Sequence, residues 1–368
     1  MEVWSAPFAI FGPEGVLKEG ALLTDGKRIL ALGEREALLK AHPTASLRRF
    51  STYLGLEAAN AHTHLDLGLG PVFRGPFMDF VLKAVFPRNA LRGLTLAREA
   101  AAAARQRALG DIVAKDDGTL EWWLTEAPFE GVAFLEVLGL LPPEKERDYL
   151  ARLRATVARL KKLERKGGPR LGLSPHAPYS LTPSLMKAAV ELAREEGLPL
   201  QIHAAESPDE LAYFKDRTGA IAAFHRQKGV PEDLHPVGLS PVQYLADLGV
   251  LEARPLLVHG VQVGEEDVRI LAEAGVGLVS CPRSNENLGA GLPPYALYER
   301  HGVPLALGTD SALSGGSLDV WDEVRHLANR GLPPASAVRW AVLGGYRALG
   351  LEVPELRPGD PLGAVVGW

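Results

Sequence analysis

One cysteine, Cys281, stands alone among 368 residues. An internal disulfide is excluded, and so is a Cys-x-x-Cys metal cage, so any metal site here must be built from histidines and carboxylates. Long hydrophobic runs are missing too: nowhere do eighteen apolar residues follow one another, as a membrane-crossing helix would need. The opening stretch, Met1 to Ile10, has neither a basic leader nor a continuous apolar block. The expectation is a cytoplasmic protein with no membrane partner. Charge of one sign is scarce, with a net charge of −5, 23% charged residues and 46% hydrophobic ones. This balance supplies no basic surface for nucleic acid and is too apolar for a disordered chain. A globular protein acting on a small molecule remains.

Residues 1–55 alternate short apolar stretches with turn signals, Gly12-Pro13-Glu14-Gly15 and Asp25-Gly26 among them, which is how hairpins of a small β unit read. From Gly55 the rhythm changes. Apolar runs of four to seven residues each precede a longer stretch of helical spacing, the pattern of repeated strand–helix units around a parallel sheet. Eight runs can be counted: Leu56 to Ala61, Gly110 to Ala114, Val132 to Val137, Arg170 to Ser174, Pro199 to Ile202, Pro255 to Val258, Val276 to Ser280 and Val303 to Leu307. Helical stretches are expected over 91–108, 143–165, 182–197, 265–275 and 318–330. Eight units close a ring, so the expected class is α/β, a (β/α)8 TIM barrel over residues 56–350. The tail, 351–368, is broken by Arg357-Pro358-Gly359-Asp360-Pro361 and then turns apolar. It is expected to return strands to residues 1–55, so that both chain ends form one small β domain.

In such a barrel the active site is assembled at the C-terminal ends of the strands. The polar residues that follow the runs are therefore informative: His62 and His64 after the first, His176 after the fourth, His203 after the fifth, His259 after the sixth and Asp310 after the eighth. A single histidine at a strand end is ordinarily a packed residue. Burying several imidazoles and a carboxylate without a common purpose costs roughly a few kcal/mol each, so the set together points to one site. His62 and His64 are two apart and share a face of their strand. With His203 and Asp310 they form a ligand set for one divalent metal, zinc first, with iron or manganese also fitting. Water on such an ion ionises near pH ~7, which makes the site hydrolytic. Glu206, in His203-Ala204-Ala205-Glu206, is the candidate general acid and base. His259 either ligates the metal or hydrogen-bonds the attacking water and the developing negative oxygen.

Phe73 and Phe77 follow the first strand in a stretch, 72–90, that could cover the cleft and stack on a flat substrate. Arg283, with Arg74 and Arg88, is a candidate anchor for a substrate carboxylate, and Ser284 a candidate hydrogen-bonding partner. Trp122 and Trp123 are expected either at the mouth or capping a helix.

The segments Asn60-Ala61-His62-Thr63-His64-Leu65-Asp66, Ile202-His203-Ala204-Ala205-Glu206-Ser207, Val258-His259-Gly260, Ser280-Cys281-Pro282-Arg283-Ser284-Asn285 and Gly308-Thr309-Asp310-Ser311 resemble the amidohydrolase superfamily. Within it they are similar to the aminohydrolase branch of cytosine, guanine and S-adenosylhomocysteine deaminases and chlorohydrolase-like enzymes. The resemblance implies one metal on His62, His64, His203 and Asp310, with Glu206 moving protons and His259 steering the nucleophile. Relatives with two metals place a lysine after the fourth strand, and Leu171 to His176 has none. Ser174-Pro175-His176-Ala177-Pro178-Tyr179-Ser180 is similar to enzymes that deaminate adenine nucleosides, among them those acting on 6-aminodeoxyfutalosine, where the histidine touches substrate. Hydrolytic deamination with release of ammonia is the implied reaction, and a homodimer the implied assembly. Hydrolysis of a cyclic amide or triazine is the rival among enzymes, and a barrel that binds without turnover the rival of another class.

Overall fold

A computed structural model describes residues 1–368. Eight strands run parallel in two four-stranded sheets. Asn60–Thr63, Ala108–Val113, Glu130–Val137 and Arg170–Pro175 form one; Gln201–Ala204, Leu256–His259, Leu278–Ser280 and Leu305–Leu307 form the other. Two bridges close the ring. Leu173 pairs with Leu200 between the fourth and fifth strands, and Thr63 pairs with Asp310 between the first strand and the residues after the eighth. Both seams carry site residues, because His203 N donates to His176 O at 2.9 Å and Asp310 N to His62 O at 3.1 Å. The eight-stranded barrel read from the sequence is therefore the architecture found.

The connecting helices start and stop where their end residues dictate. Thr182 and Ser207 accept from backbone amides of the first turn, Ser240 and Gln243 form a reciprocal cap, and Gly197, Gly275 and Gly302 end helices in the left-handed conformation. One expected helix is much shorter than its pattern. Only Leu94–Ala103 is helical within 91–108, since Ala108 already belongs to the second strand. Gln106 between them is buried and serves another helix: its Oε1 accepts from Val320 N at 3.1 Å and its Nε2 donates to Asp319 Oδ1 at 2.9 Å. After the first strand, Phe77–Phe80, the wide turn Val81–Val85 and Phe86–Arg88 follow one another as helical pieces over the C-terminal end of the barrel.

Two further four-stranded sheets lie outside the ring. One is ordered Ile29–Glu34, Gly20–Thr24, Glu2–Ser5, Ser46–Arg49; the other Val366–Gly367, Tyr53–Gly55, Phe8–Ile10, Leu17–Lys18. The last strand thus pairs antiparallel with Tyr53–Gly55. The largest core cluster runs from Ile10, Leu22 and Tyr53 in these sheets through Leu109, Leu135 and Leu171 to Leu257 and Val324, so sheets and barrel share one apolar interior. Trp122 and Trp123 belong to this core, on the helix Thr119–Thr125, rather than to the mouth. No helix is long and apolar enough to cross a membrane.

Candidate active site

Strand alternation turns His62 and His64 inward, and His203 from the fifth strand meets them: one ring nitrogen from each lies within 4.8 Å of the other two. All three are buried. Nδ1 of His62 lies 2.6 Å from Gln201 Oε1, an amide fixed in that orientation because its Nε2 donates to Ala61 O at 3.0 Å. Nδ1 of His203 lies 2.9 Å from His176 O. Both partners can only accept, so each ring donates from Nδ1 and turns a bare Nε2 to the centre. His62 Nε2 and His64 Nδ1 are buried with no hydrogen-bond partner. Orphaned imidazole nitrogens in one cluster are what a divalent cation satisfies. Burial lowers the pKa of all three, and neighbouring imidazoles push His64 and His203 further down. They stand neutral at pH 7, the state in which imidazole ligates.

Asp310 flanks the trio, with Oδ1 at 3.5 Å from His64 Nε2 and 3.8 Å from His62 Nε2. Ser284 Oγ and Ser314 Oγ donate to Oδ2 at 2.6 and 2.9 Å, and Ser311 N to Oδ1 at 2.7 Å. Burial opposes ionisation of this carboxyl, but the facing His64 and His62 outweigh it and draw its pKa to about 2. Gly308 permits the approach: a Cβ there would come within 2.8 Å of the His62 backbone. Ala205, His259 and Asp310 have φ of 53°, 75° and 56°. The left-handed region costs a non-glycine residue roughly 1–3 kcal/mol and is kept only where surrounding contacts enforce it. Three of the six such residues in the chain gather at these strand ends, so the strain is concentrated at the site.

Glu206 follows the strained Ala205, and the turn is braced by Glu210, whose carboxylate accepts from Ala205 N at 3.1 Å and Glu206 N at 2.8 Å. Glu206 Oε1 lies 3.6 Å from His259 Nε2. Burial, with Asp310 and Glu210 adding repulsion, pushes the Glu206 carboxyl well above its usual range. His259 Nδ1 lies 2.8 Å from Asn285 Oδ1, so this ring too donates from Nδ1 and presents Nε2 to the site. Burial pushes its pKa down to about 4.

A cavity of about 420 Å³ opens above these groups. His64, His176, His203, Glu206, His259 and Asp310 line its inner end, with Glu136 and Arg92; Phe77, Phe80, Phe86 and Phe224 line its outer part. Arg92 is held in a bidentate pair with Asp66, at 3.1 and 2.9 Å. Sequence reading brought out neither Glu136 nor Arg92, although Glu136 sits near the end of the third strand, where a search for polar residues would have found it. Gln201 lay open to the same logic, two residues before His203 on one strand face.

Four expected substrate contacts are placed elsewhere. Phe73 packs on Phe80 with ring centroids 5.7 Å apart and does not line the cavity. Arg283 turns away to Glu323, donating from Nε to Oε1 at 2.7 Å, and ties two helices together. Ser284 is spent on Asp310. Arg88 donates to the Leu67 and Leu69 carbonyls at 3.0 and 3.1 Å, so it fastens the covering segment. His176 and Phe77 do reach the cavity.

Buried imidazoles and carboxylates at the strand ends of a barrel describe a metal-dependent hydrolase. The chain belongs to the amidohydrolase family, whose model matches residues 58–366. Residues 20–45 also match an imidazolonepropionase-like composite domain of bacteria. The chain is 36% identical over 361 residues to the aminodeoxyfutalosine deaminase of Deinococcus radiodurans, covering 95% of this chain and 86% of that protein. It is 28% identical to a 5-methylthioadenosine/S-adenosylhomocysteine deaminase of Nitratidesulfovibrio vulgaris, over 94% of this chain and 78% of that one. Among solved structures, Helicobacter pylori aminofutalosine deaminase in complex with methylthio-coformycin superposes with a TM-score of 0.74 at 23% identity, covering 100% of this chain and 92% of that one. The family expected from the motifs is the family found. The chain is accordingly a hydrolase acting on carbon–nitrogen bonds, in a family whose chemistry depends on a metal.

Proposed function

We propose that the protein is a hydrolytic deaminase of an adenine-type nucleoside, 6-aminodeoxyfutalosine, S-adenosylhomocysteine or a close relative, and that it releases ammonia. The observation that carries this reading is the placement of Glu206 and Asp310 on one cavity beside the three imidazoles, one carboxyl pushed up and the other down. Two carboxyl groups poised in opposite protonation states are what addition of water to an aminated ring carbon requires. The relatives named above, one at 36% identity over most of both chains, support the substrate class.

His62, His64, His203 and Asp310 would hold the metal, and their nitrogen-rich set suits zinc. When bound, such an ion supplies Lewis acidity and lowers the pKa of water toward ~7. Glu206, protonated, delivers its proton to the ring nitrogen beside the amino-bearing carbon as water adds to that carbon. Asp310 takes the proton the water gives up. His259, its Nδ1 anchored on Asn285, orients the adding oxygen through Nε2. Asp310 then returns its proton to the amino group, ammonia leaves, and Glu206 recovers its proton from the new hydroxyl, which becomes the carbonyl. Both carboxyl groups end as they began. His176 and Glu136 are on the cavity wall, where they would meet the sugar.

Glu206→Gln keeps the shape and removes the proton. Ammonia release from an adenine nucleoside should fall by about 10²–10⁴-fold with metal content unchanged. Near-normal turnover in that variant would refute the role of Glu206.

A further inference from the structure

The short helix Pro282–Asn287 anchors two of the reacting groups at once. Ser284 Oγ donates to Asp310 Oδ2 at 2.6 Å, and Oδ1 of the next residue, Asn285, accepts from His259 Nδ1 at 2.8 Å. In the proposed reaction Asp310 takes up a proton and His259 orients the adding oxygen, so two separate tasks lean on neighbouring residues of one element. Six residues make too short a helix to keep its own place, because isolated helices below about 12 residues are marginal in water. Its hold must come from outside. Consecutive side chains point about 100° apart around the axis, so a rotation of the helix would displace Ser284 and Asn285 together.

The outside hold is Glu323, on the helix Val320–Asn329. Its carboxylate is fully buried and accepts twice from a single residue: from Arg283 N to Oε2 at 2.9 Å and from Arg283 Nε to Oε1 at 2.7 Å. Pro282 has no N–H, so the Arg283 amide is the first backbone donor of the helix. One bond fixes the backbone at that end and the other fixes the side chain, and the pair resists rotation about the axis. Arg283 is steadied further by Ser317, whose carbonyl and hydroxyl oxygens each accept from Nη2 at 3.2 Å. A second tie between the two helices lies closer to solvent: the Glu286 side chain, 25% exposed, meets His326 and, at 2.9 Å, Arg330. Neither Glu323 nor Arg283 lines the cavity.

We infer that Glu323 is a positioning residue: through Arg283 it sets the rotation of Pro282–Asn287 and so keeps Asp310 and His259 in register with each other, touching neither substrate nor metal. The tasks of Asp310 and His259 rest on the deaminase reading. The hold of Glu323 on their anchors does not.

Glu323→Gln keeps the shape but offers one acceptor where Arg283 uses two. In the metal-loaded protein kcat for ammonia release from adenosine should fall by about 10- to 100-fold while KM stays within about twofold, because misplaced reacting groups are felt in kcat. Metal affinity, measured in competition with a chelator, should fall by about 10-fold as Asp310 loses its fixed orientation. Glu286→Gln, at the more exposed tie, should change either quantity by less than about twofold. Glu323 reaches Asp310 only by way of Ser284, so adding Glu323→Gln to Ser284→Ala should cost little further metal affinity. Arg283→Lys keeps the charge and the amide bond but not the fork; it serves if the glutamine variant does not fold, and should lower kcat by about 3- to 10-fold. Unchanged kcat and metal affinity in folded Glu323→Gln, a loss carried by KM alone, or affinity losses that multiply in full with Ser284→Ala overturn the inference. If the unaltered, metal-loaded protein releases no ammonia from adenosine or S-adenosylhomocysteine, the deaminase reading falls, and the affinity cycle with Ser284→Ala still decides the positioning.

Discussion

The inner end and the mouth of the cavity are built on different principles. At the inner end the reactive side chains are anchored, His62 to Gln201, His203 to the His176 carbonyl, His259 to Asn285 and Asp310 to three donors, and the atoms left unpartnered, His62 Nε2 and His64 Nδ1, belong to the imidazole cluster. These groups ride on strands and on the two seams of the ring, where the backbone is fixed on both sides. The mouth is made of helical pieces and side chains such as Phe86, which is 43% exposed and held by little more than its neighbour Phe224. A rigid floor sets reactive groups to the tolerance that chemistry needs, and a looser rim can change its contacts without disturbing them. Reaction type and substrate choice are therefore separable in this molecule.

The contrast can be broken first at Arg92. Arg92→Met strands the buried Asp66 carboxylate and should lower stability by about 3–5 kcal/mol in chemical denaturation. Asp66→Asn combined with Arg92→Met should recover most of it, because no buried charge is then left unpaired. If the single variant is as stable as the parent, the floor is not rigid in the sense argued. A smaller effect is expected at Gln201, which touches neither substrate nor metal. Gln201→Leu frees the His62 ring and should weaken metal affinity by about 10- to 100-fold in a competition with a chelator, while the fold persists. The least effect is expected at the rim, where Phe86→Ala should change stability by less than about 1 kcal/mol and register in KM for nucleosides with long 5′ groups. A large loss of stability there would erase the distinction between floor and mouth.

The metal-site residues were legible because their signal is local. His-x-His on a strand shares a face by alternation, and a polar residue closing an apolar run marks a strand end. Glu206 was legible for the same reason, three residues past His203. Arg283 and Ser284 show where such reasoning stops. They are adjacent on the short helix Pro282–Asn287, and a helix turns about 100° per residue, so one reaches Glu323 and the other Asp310. Phe73 and Phe77 diverge likewise, one packing against Phe80 and the other lining the cavity. Glu210 carries no signal until its partners are known, and Asn285, though it closes one of the motifs, shows its role only when His259 is set beside it.

Composition, the eightfold rhythm and the residues closing each run determined by themselves that the chain is a barrel with a histidine-and-carboxylate site, because each of those facts lies within a window of a few residues. Which groups brace that site, and which side chains meet across its mouth, was decided only by the tertiary structure. Thr63 meets Asp310 across a sequence gap of almost the whole barrel, and Phe86 meets Phe224 from helices that share no pattern. Contacts of that kind depend on the curvature and register of the whole sheet, and no short stretch of sequence contains either.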